Sequence, residues 1–291
     1  MSHRLRTNPL AAAIMSVLLV LLVAGVVACG SSTTSTTVAP ACGTTAAGAR
    51  TLTVSAASSL KGAFTEIGKA FDAANNCTTT FNFDAAGTLQ KQIEGGAPVD
   101  VFASAAKKQV KALTDANLAD PASVKVFASN EIVLIVPADS TLNITGFQDL
   151  TKADVKRIAY GDPAVAPHGV AAEEILKKLG IFDQVKPKVV YAQNVSQALT
   201  YVTSGEVDAS IVFVSEAKSA GEKVKIVATS DPGWHSAIAY PICLVTASKV
   251  KTLGQAFIDY VTGADGQAVL AKYEFLPAPA ATPDTTGTPS S

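Results

Sequence analysis

Histidine and cysteine are scarce in this sequence, and none of them have the spacing of a metal or redox site. The chain of 291 residues has 3 His and 4 Cys, with no CxxC pair and no Cys/His cluster. No Ser–His or Cys–His pair lies near a predicted turn, so a nucleophile with its base is missing. We therefore expect a protein that is not an enzyme and that needs no cofactor and no bound metal cation.

Net charge is also nearly absent. The formal charge is -1 and the isoelectric point is about 6.3, which leaves no electrostatic footprint for nucleic acid or for an anionic membrane surface. The composition, with 48% hydrophobic and 16% charged residues, suffices for a sizeable core. Any anion site must therefore be local and made by oriented backbone dipoles.

The first 28 residues have the pattern of a lipoprotein signal peptide. Arg4 and Arg6 precede an apolar run over residues 10–28, which ends in small residues directly before Cys29. We expect Cys29 to be lipidated and to anchor an extracytoplasmic protein to the cell membrane. The alternative is an uncleaved membrane span, since the run approaches the roughly 20 residues that a span needs. The polar Gly, Ser and Thr residues after Cys29 predict a flexible tether over residues 29–50. The Pro, Thr, Ala and Ser residues near the C-terminus predict a disordered tail over residues 276–291.

From residue 50 onward, short β-rich runs alternate with longer helical ones. The order β-α-β-α-β occurs over residues 52–105 and is repeated over residues 157–214. This order predicts mostly parallel sheets with helices on both faces. Two long extended apolar segments, 130–137 and 237–247, interrupt the repeat. The fold class is therefore α/β with two lobes joined by two crossing segments. We assign residues 50–129 plus 237–275 to lobe 1 and residues 130–236 to lobe 2.

Four junctions between a strand and a helix have the small and polar residues of an anion cradle. Helix N-termini carry unpaired N–H groups and about half a positive charge, and ligands of open α/β sheets bind at the carboxyl ends of strands. A single serine at a helix start is usually only a cap, but two junctions per lobe facing one cleft can bind a dianion without Lys or Arg. The junctions are residues 56–60 (AASSL), 83–89 (FDAAGTL), 161–169 (GDPAVAPHG) and 193–196 (QNVS).

The body of the chain resembles the molybdate-binding proteins of bacterial ABC transporters. Residues 56–60 are similar to the family's A-A-A-S-L start, and residues 87–105 (GTLQKQIEGGAPVDVFASA) to its G-T-L-x-x-Q-I-x-x-G-A-P-x-D-x-F-x-S-A run. Residues 161–169 resemble its G-D-P…P-x-G loop, and residues 272–275 (KYEF) its K-Y-G-F end. The resemblance covers nearly all of residues 51–275. It implies the two-lobed periplasmic-binding-protein fold of type II, a monomer, an ABC permease as partner, and molybdate or tungstate as ligand.

The resemblance also implies five ligand positions, which fall on Ser59, Ala86, His168, Val195 and Phe213. The family has Ser where this chain has Ala86 and Tyr where it has Phe213, so two hydroxyl donors are missing. Each hydrogen bond to a charged group is worth about 1.5–3 kcal/mol, so the loss lowers affinity roughly a hundredfold to ten-thousandfold. Ser58 and Thr88 are the candidate replacement donors. The change leaves open another oxyanion, an anionic organic ligand, or a sensor that no longer serves transport.

Two titratable residues near these positions have more than one interpretation. His168 either faces the ligand as an imidazolium below about pH 6.5, or turns its ring to solvent and offers only its N–H. The carboxylate of Asp84 is unfavourable beside an anion, so we expect it to point away. Asp100 is expected to hydrogen-bond a turn.

The remaining cysteines allow one disulfide outside the cytoplasm. Cys42 and Cys77 each lie a few residues before a predicted strand, and a bridge joins them if those strands are parallel neighbours. Cys243 lies in an apolar run and is expected to be a buried free thiol.

Overall fold

The computed structural model describes residues 50–278. The signal peptide, the lipidation of Cys29 and the position of Cys42 lie outside that range and stay predictions. Leu276 exchanges two backbone hydrogen bonds with Ser129, of 2.8 and 3.1 Å. These backbone groups of Leu276, the first residue of the predicted tail, are thus paired with the first crossing segment, and the disordered tail stays a prediction. No helix among the described residues is long and apolar enough to cross a membrane.

Strands and helices alternate along most of the described chain. The strands are β1 (Arg50–Ala57), β2 (Cys77–Asp84), β3 (Val101–Ala103), β4 (Lys125–Ala128), β5 (Ile132–Pro137), β6 (Ile158–Gly161), β7 (Val189–Ala192), β8 (Ala209–Phe213), β9 (Val224–Thr229) and β10 (Tyr240–Leu244). The helices are α1 (Lys61–Asn75), α2 (Ala86–Glu94), α3 (Lys107–Asp115), α4 (Pro167–Lys178), α5 (Phe182–Val185), α6 (Val195–Thr203), α7 (Val214–Ser219), α8 (Lys251–Thr262) and α9 (Ala264–Lys272). A 3-10 turn, Ser58–Leu60, joins β1 to α1.

The strands form two sheets with the same plan. The first has the order β2-β1-β3-β10-β4 and the second the order β7-β6-β8-β5-β9. In each sheet one strand, β10 or β5, is antiparallel to both of its neighbours, and the others share one direction. This confirms the predicted fold class. We call the part built on the first sheet lobe 1 and the part built on the second sheet lobe 2.

The chain passes between the sheets twice, through residues 129–131 and 230–239. Strands β4 and β9, which flank these passages, were not predicted from the sequence. Both lie at a sheet edge, where exposed lysines such as Lys125 and Lys225 interrupt the apolar pattern.

Helices cover the sheets with apolar faces at helical spacing. In α1 the buried residues include Phe64, Ile67 and Phe71, three or four positions apart. The rings of Phe64 and Phe71 contact Phe257 of α8 edge-on, with centroids 5.9 and 5.2 Å apart. This aromatic cluster holds the two helices together over lobe 1, which keeps the start of α1 at the carboxyl end of β1.

The two described cysteines, Cys77 and Cys243, are not bonded to each other. Cys243 is fully buried, as expected, and burial raises its pKa to about 12. Cys77 begins β2 opposite Arg50 of the parallel strand β1, and its thiol donates to Asp72 at 3.3 Å. Because Cys42 lies outside the described residues, its bridge to Cys77 stays a prediction.

Candidate functional site

A small cavity lies where the strand ends of the two lobes meet. Its volume is about 10 Å³, close to what one water molecule needs. Its lining consists of Ala57, Ser58, Ser59, Asp84, Ala85, Ala86, Ala105, Ala166, Pro167, His168, Asn194, Val195 and Phe213. The structure thus brings all five predicted ligand positions together with Ser58, whereas Thr88 is absent from the lining. Their role in binding stays a prediction.

Three helices begin at this cavity. Ala86 is the first residue of α2 and Val195 the first of α6, while His168 follows Pro167, which has no N–H, at the start of α4. The first N–H groups of a helix have no acceptor within the helix and carry the positive end of its dipole. Lysine and arginine are absent from the described residues of the lining. Backbone donors therefore supply the positive potential.

A buried hydrogen-bond chain orients the side chain of Ser59. Asn130 accepts the Glu131 N–H through Oδ1 at 3.0 Å, which fixes its amide, and its Nδ2 donates to the Tyr240 hydroxyl at 3.3 Å. The Tyr240 oxygen lies 3.1 Å from Ser59 Oγ. Because Asn130 Nδ2 can only donate, the Tyr240 oxygen accepts there, and the arrangement that uses the Tyr240 proton has Tyr240 donating to Ser59. The proton of Ser59 is then free to bind an anion.

Tyr240 and Asn130 were missed by the sequence analysis. Tyr240 lies in an apolar run that predicted only a crossing strand. This strand, β10, runs antiparallel to β3, so Tyr240 at its start lies near the carboxyl end of β3. Burial raises the pKa of Tyr240 above its ordinary value, so the hydroxyl stays neutral. Asn130 also donates to Ser215 Oγ in lobe 2 at 2.8 Å. The chain therefore ties both lobes to the cavity floor.

The ring of His168 has neither of its predicted environments. It is buried at 1% exposure and packs on Phe213, with ring centroids 5.7 Å apart. The ring occupies the space that a side chain at Gly161 would need, since a Cβ there would lie 2.4 Å from His168 Cε1. Desolvation lowers the pKa of His168 to about 3. The imidazole is neutral, and the expectations of an imidazolium or a solvent-facing ring were wrong.

Asp84 belongs to the lining of the cavity, and the expectation that its carboxylate points away from the ligand stays a prediction. Its Oδ1 accepts from the Ala85 N–H at 2.7 Å and from Asn194 Nδ2 at 3.1 Å, and these donors offset part of its charge. Asp100 behaves as expected. It accepts from the Thr53 N–H at 2.8 Å and from the Ser248 hydroxyl at 2.7 Å.

Two α/β lobes whose helix N-termini surround one cleft define a class of protein that holds a small solute between its lobes. The family model of bacterial extracellular solute-binding proteins matches residues 52–276. The chain belongs to this family of extracytoplasmic proteins, and its predicted resemblance to the molybdate-binding proteins is confirmed.

The alignments with named relatives cover most of the chain. A Bacillus subtilis protein, named provisionally as an ABC transporter substrate-binding lipoprotein, is 38% identical over 227 residues, which cover 77% of this chain and 86% of the relative. The molybdate-binding protein ModA of Escherichia coli is 34% identical over 230 residues, 77% of this chain and 88% of the relative. The structure of the periplasmic molybdate-binding protein of Azotobacter vinelandii superposes with a TM-score of 0.71 at 22% identity. The match covers 78% of this chain and all of that one, and it shows the fold.

Proposed function

We propose that this protein binds a small tetrahedral oxyanion, molybdate or tungstate, in the cleft between its lobes and delivers it to an ABC permease. One observation carries the proposal: Ser59 and the first residues of α2, α4 and α6 that bear an N–H, namely Ala86, His168 and Val195, line one small cavity. Donors of this kind, fixed by the backbone, suit a dianion that must be held without a basic side chain. The relatives named as molybdate-binding proteins support the choice of ion.

The confined cavity favours a compact oxyanion over a bulky organic ligand. Its walls include the first residues of α2, α4 and α6 and the turn after β1, so a large organic group fits only if the lobes move apart. Sulfate and molybdate carry the same charge, so the fixed positions of the donors must discriminate between them by size. Another oxyanion is the second candidate, because Ala86 and Phe213 offer no hydroxyl.

Delivery requires that the protein stay near its permease. We propose that Cys29 carries the lipid anchor, that the predicted tether over residues 29–50 runs up to Arg50 at the start of β1, and that the protein works as a monomer. Membership of the extracellular solute-binding family supports this proposal, because a lipid anchor of this kind keeps a protein at the outer face of the membrane.

We expect molybdate and tungstate to stabilise the full-length protein against heat. A ligand at one hundred times its Kd adds about 2.7 kcal/mol, which raises the Tm of a protein of this size by about 5–10 °C. The measurement is a thermal-shift series with molybdate, tungstate, chromate, sulfate and phosphate. No shift with molybdate or tungstate at millimolar concentration contradicts the choice of ion.

Restoring the missing hydroxyls should strengthen binding. Ala86→Ser and Phe213→Tyr each add one donor to a dianion, so we expect each to lower the Kd by about tenfold to a hundredfold. Ser59→Ala should raise the Kd by a similar factor. Isothermal titration with molybdate measures all three. Unchanged affinity in both hydroxyl-restoring variants would show that these positions do not touch the ion.

A further inference from the structure

The turn formed by residues 84–87 of lobe 1 bonds directly to lobe 2 at two places. The Gly87 N–H donates to the Val165 carbonyl, with N and O 2.9 Å apart. Asn194 Nδ2 donates to Asp84 Oδ1 at 3.1 Å. Val165 lies in the loop between β6 and α4, and Asn194 directly precedes α6. Both bonds join protein to protein across the cleft, and neither needs a ligand.

Gly87 is needed because the backbone of lobe 2 lies close to it, and its own backbone conformation does not require glycine. Gly87 is the second residue of α2, and its φ is outside the left-handed region that favours glycine. Alanine is the better helix former at such a position. A Cβ on Gly87, however, would lie 2.8 Å from both Cα and the carbonyl oxygen of Val165. The absent side chain is therefore what lets the two backbones meet.

Asn194 has two separate hydrogen-bonding tasks. Its Oδ1 caps α6 by accepting the Gln197 N–H at 3.0 Å, which serine can also do. Its Nδ2 donates to Asp84 in the other lobe. The side chain of serine is shorter, so a serine hydroxyl at position 194 reaches Asp84 poorly. The amide also offsets the charge of Asp84, the carboxylate among the described lining residues, and so makes the cavity more favourable for an anion.

We propose that Gly87, Asp84 and Asn194 form a latch that holds the lobes together by direct contact, so that the ligand-free protein populates the closed conformation. A receptor that is partly closed before binding binds its ligand more tightly, because less of the binding energy is needed to close it. The latch thus offsets part of the affinity lost with the hydroxyls at positions 86 and 213. Only this link to affinity rests on the proposed function.

The decisive variant is Gly87→Ala in the full-length protein. In the open conformation alanine fits the helix, so the variant should still fold cooperatively, and its Tm without ligand should fall only by the stability that the latch contributes. In the closed conformation its methyl group meets the Val165 backbone. We expect hydrogen exchange of the ligand-free variant, followed by mass spectrometry, to be faster over residues 84–89, 163–167 and 193–197. Where molybdate binds, its Kd should rise at least tenfold.

Two further variants separate the latch from other effects. Asn194→Ser keeps the helix cap and should speed exchange over the same segments, with a Kd about threefold to tenfold higher. Gly146→Ala is the control, because nothing lies within 4 Å of its added Cβ, and it should match the wild type. Equal exchange in wild type, Gly87→Ala and Asn194→Ser overturns the latch. This exchange is measured without ligand, so it decides the latch even if no oxyanion binds.

Discussion

Gly169→Ala is expected to lower the free energy of unfolding by about 3 kcal/mol or more and to abolish binding of the oxyanion. A Cβ at this position would lie 1.9 Å from the carbonyl oxygen of Gly161 and 2.6 Å from its carbonyl carbon. Both residues belong to the backbone of lobe 2, at the end of β6 and in the first turn of α4. No side chain can turn aside to relieve this clash, so the start of α4 must move and carry the His168 N–H with it.

Thermal and urea unfolding measure the loss of stability, and titration with molybdate measures the loss of binding. A loss of 3 kcal/mol lowers the Tm by about 6–12 °C for a protein of this size. Gly146→Ala makes the same chemical change in open space and should leave both measurements unchanged. A stable Gly169→Ala protein that still binds its ion would contradict the close approach of β6 and α4.

Glu216→Gln is expected to stabilise the protein by about 3 kcal/mol at pH 8 and by almost nothing at pH 4. Glu216 is 7% exposed, and burial raises its pKa from 4.5 to about 7, although a hydrogen bond from Ser196 at 2.8 Å and the charge of Lys61 work in the opposite direction. Between pH 4.5 and 7 the folded protein keeps a proton that the unfolded chain releases. Stability contributed by the neutral carboxyl is therefore complete below pH 4.5 and is lost as the pH rises through 7.

Urea unfolding of both proteins at several pH values between 4 and 9 tests this account. As the pH rises from 4.5 to about 7, the wild type should lose stability relative to Glu216→Gln. The difference in free energy of unfolding should level off above about pH 8. Glu222→Gln removes an exposed carboxyl at the end of the same region and should leave the pH dependence unchanged. A difference between wild type and Glu216→Gln that is constant from pH 4 to 9 would mean that the Glu216 carboxyl is not held neutral.

The alternation of strands and helices could be predicted from the sequence because each central strand is buried. β1 and β8, for example, are nearly continuous runs of buried residues, as expected for strands covered on both faces. The edge strand β9 shows why other parts could not be predicted. Its exposed positions include Lys225, and its pairing with β5 joins segments about ninety residues apart, which no local pattern reveals.

Some features of the candidate site could likewise be predicted from the sequence, and others could not. The helix starts at Ala86 and Val195 follow from local residues, because small and polar residues between a strand and a helix are a local signal. The environment of His168 depends on the ring of Phe213, 45 positions later in the chain, and the orientation of Ser59 depends on Tyr240, 181 positions later. Such contacts arise only when strands that are distant in sequence meet at one edge of a sheet.

We propose that backbone N–H groups at helix N-termini hold an oxyanion between the lobes. Crystals grown with tungstate test it most directly, because anomalous scattering locates the tungsten atom without assumptions about the ligand. We expect one strong peak in the cavity, with tungstate oxygens within hydrogen-bonding distance of the backbone nitrogens of Ala86, His168 and Val195 and of Ser59 Oγ. An empty cavity in closed, tungstate-grown crystals, or an ion held there by lysine or arginine side chains, would contradict the account.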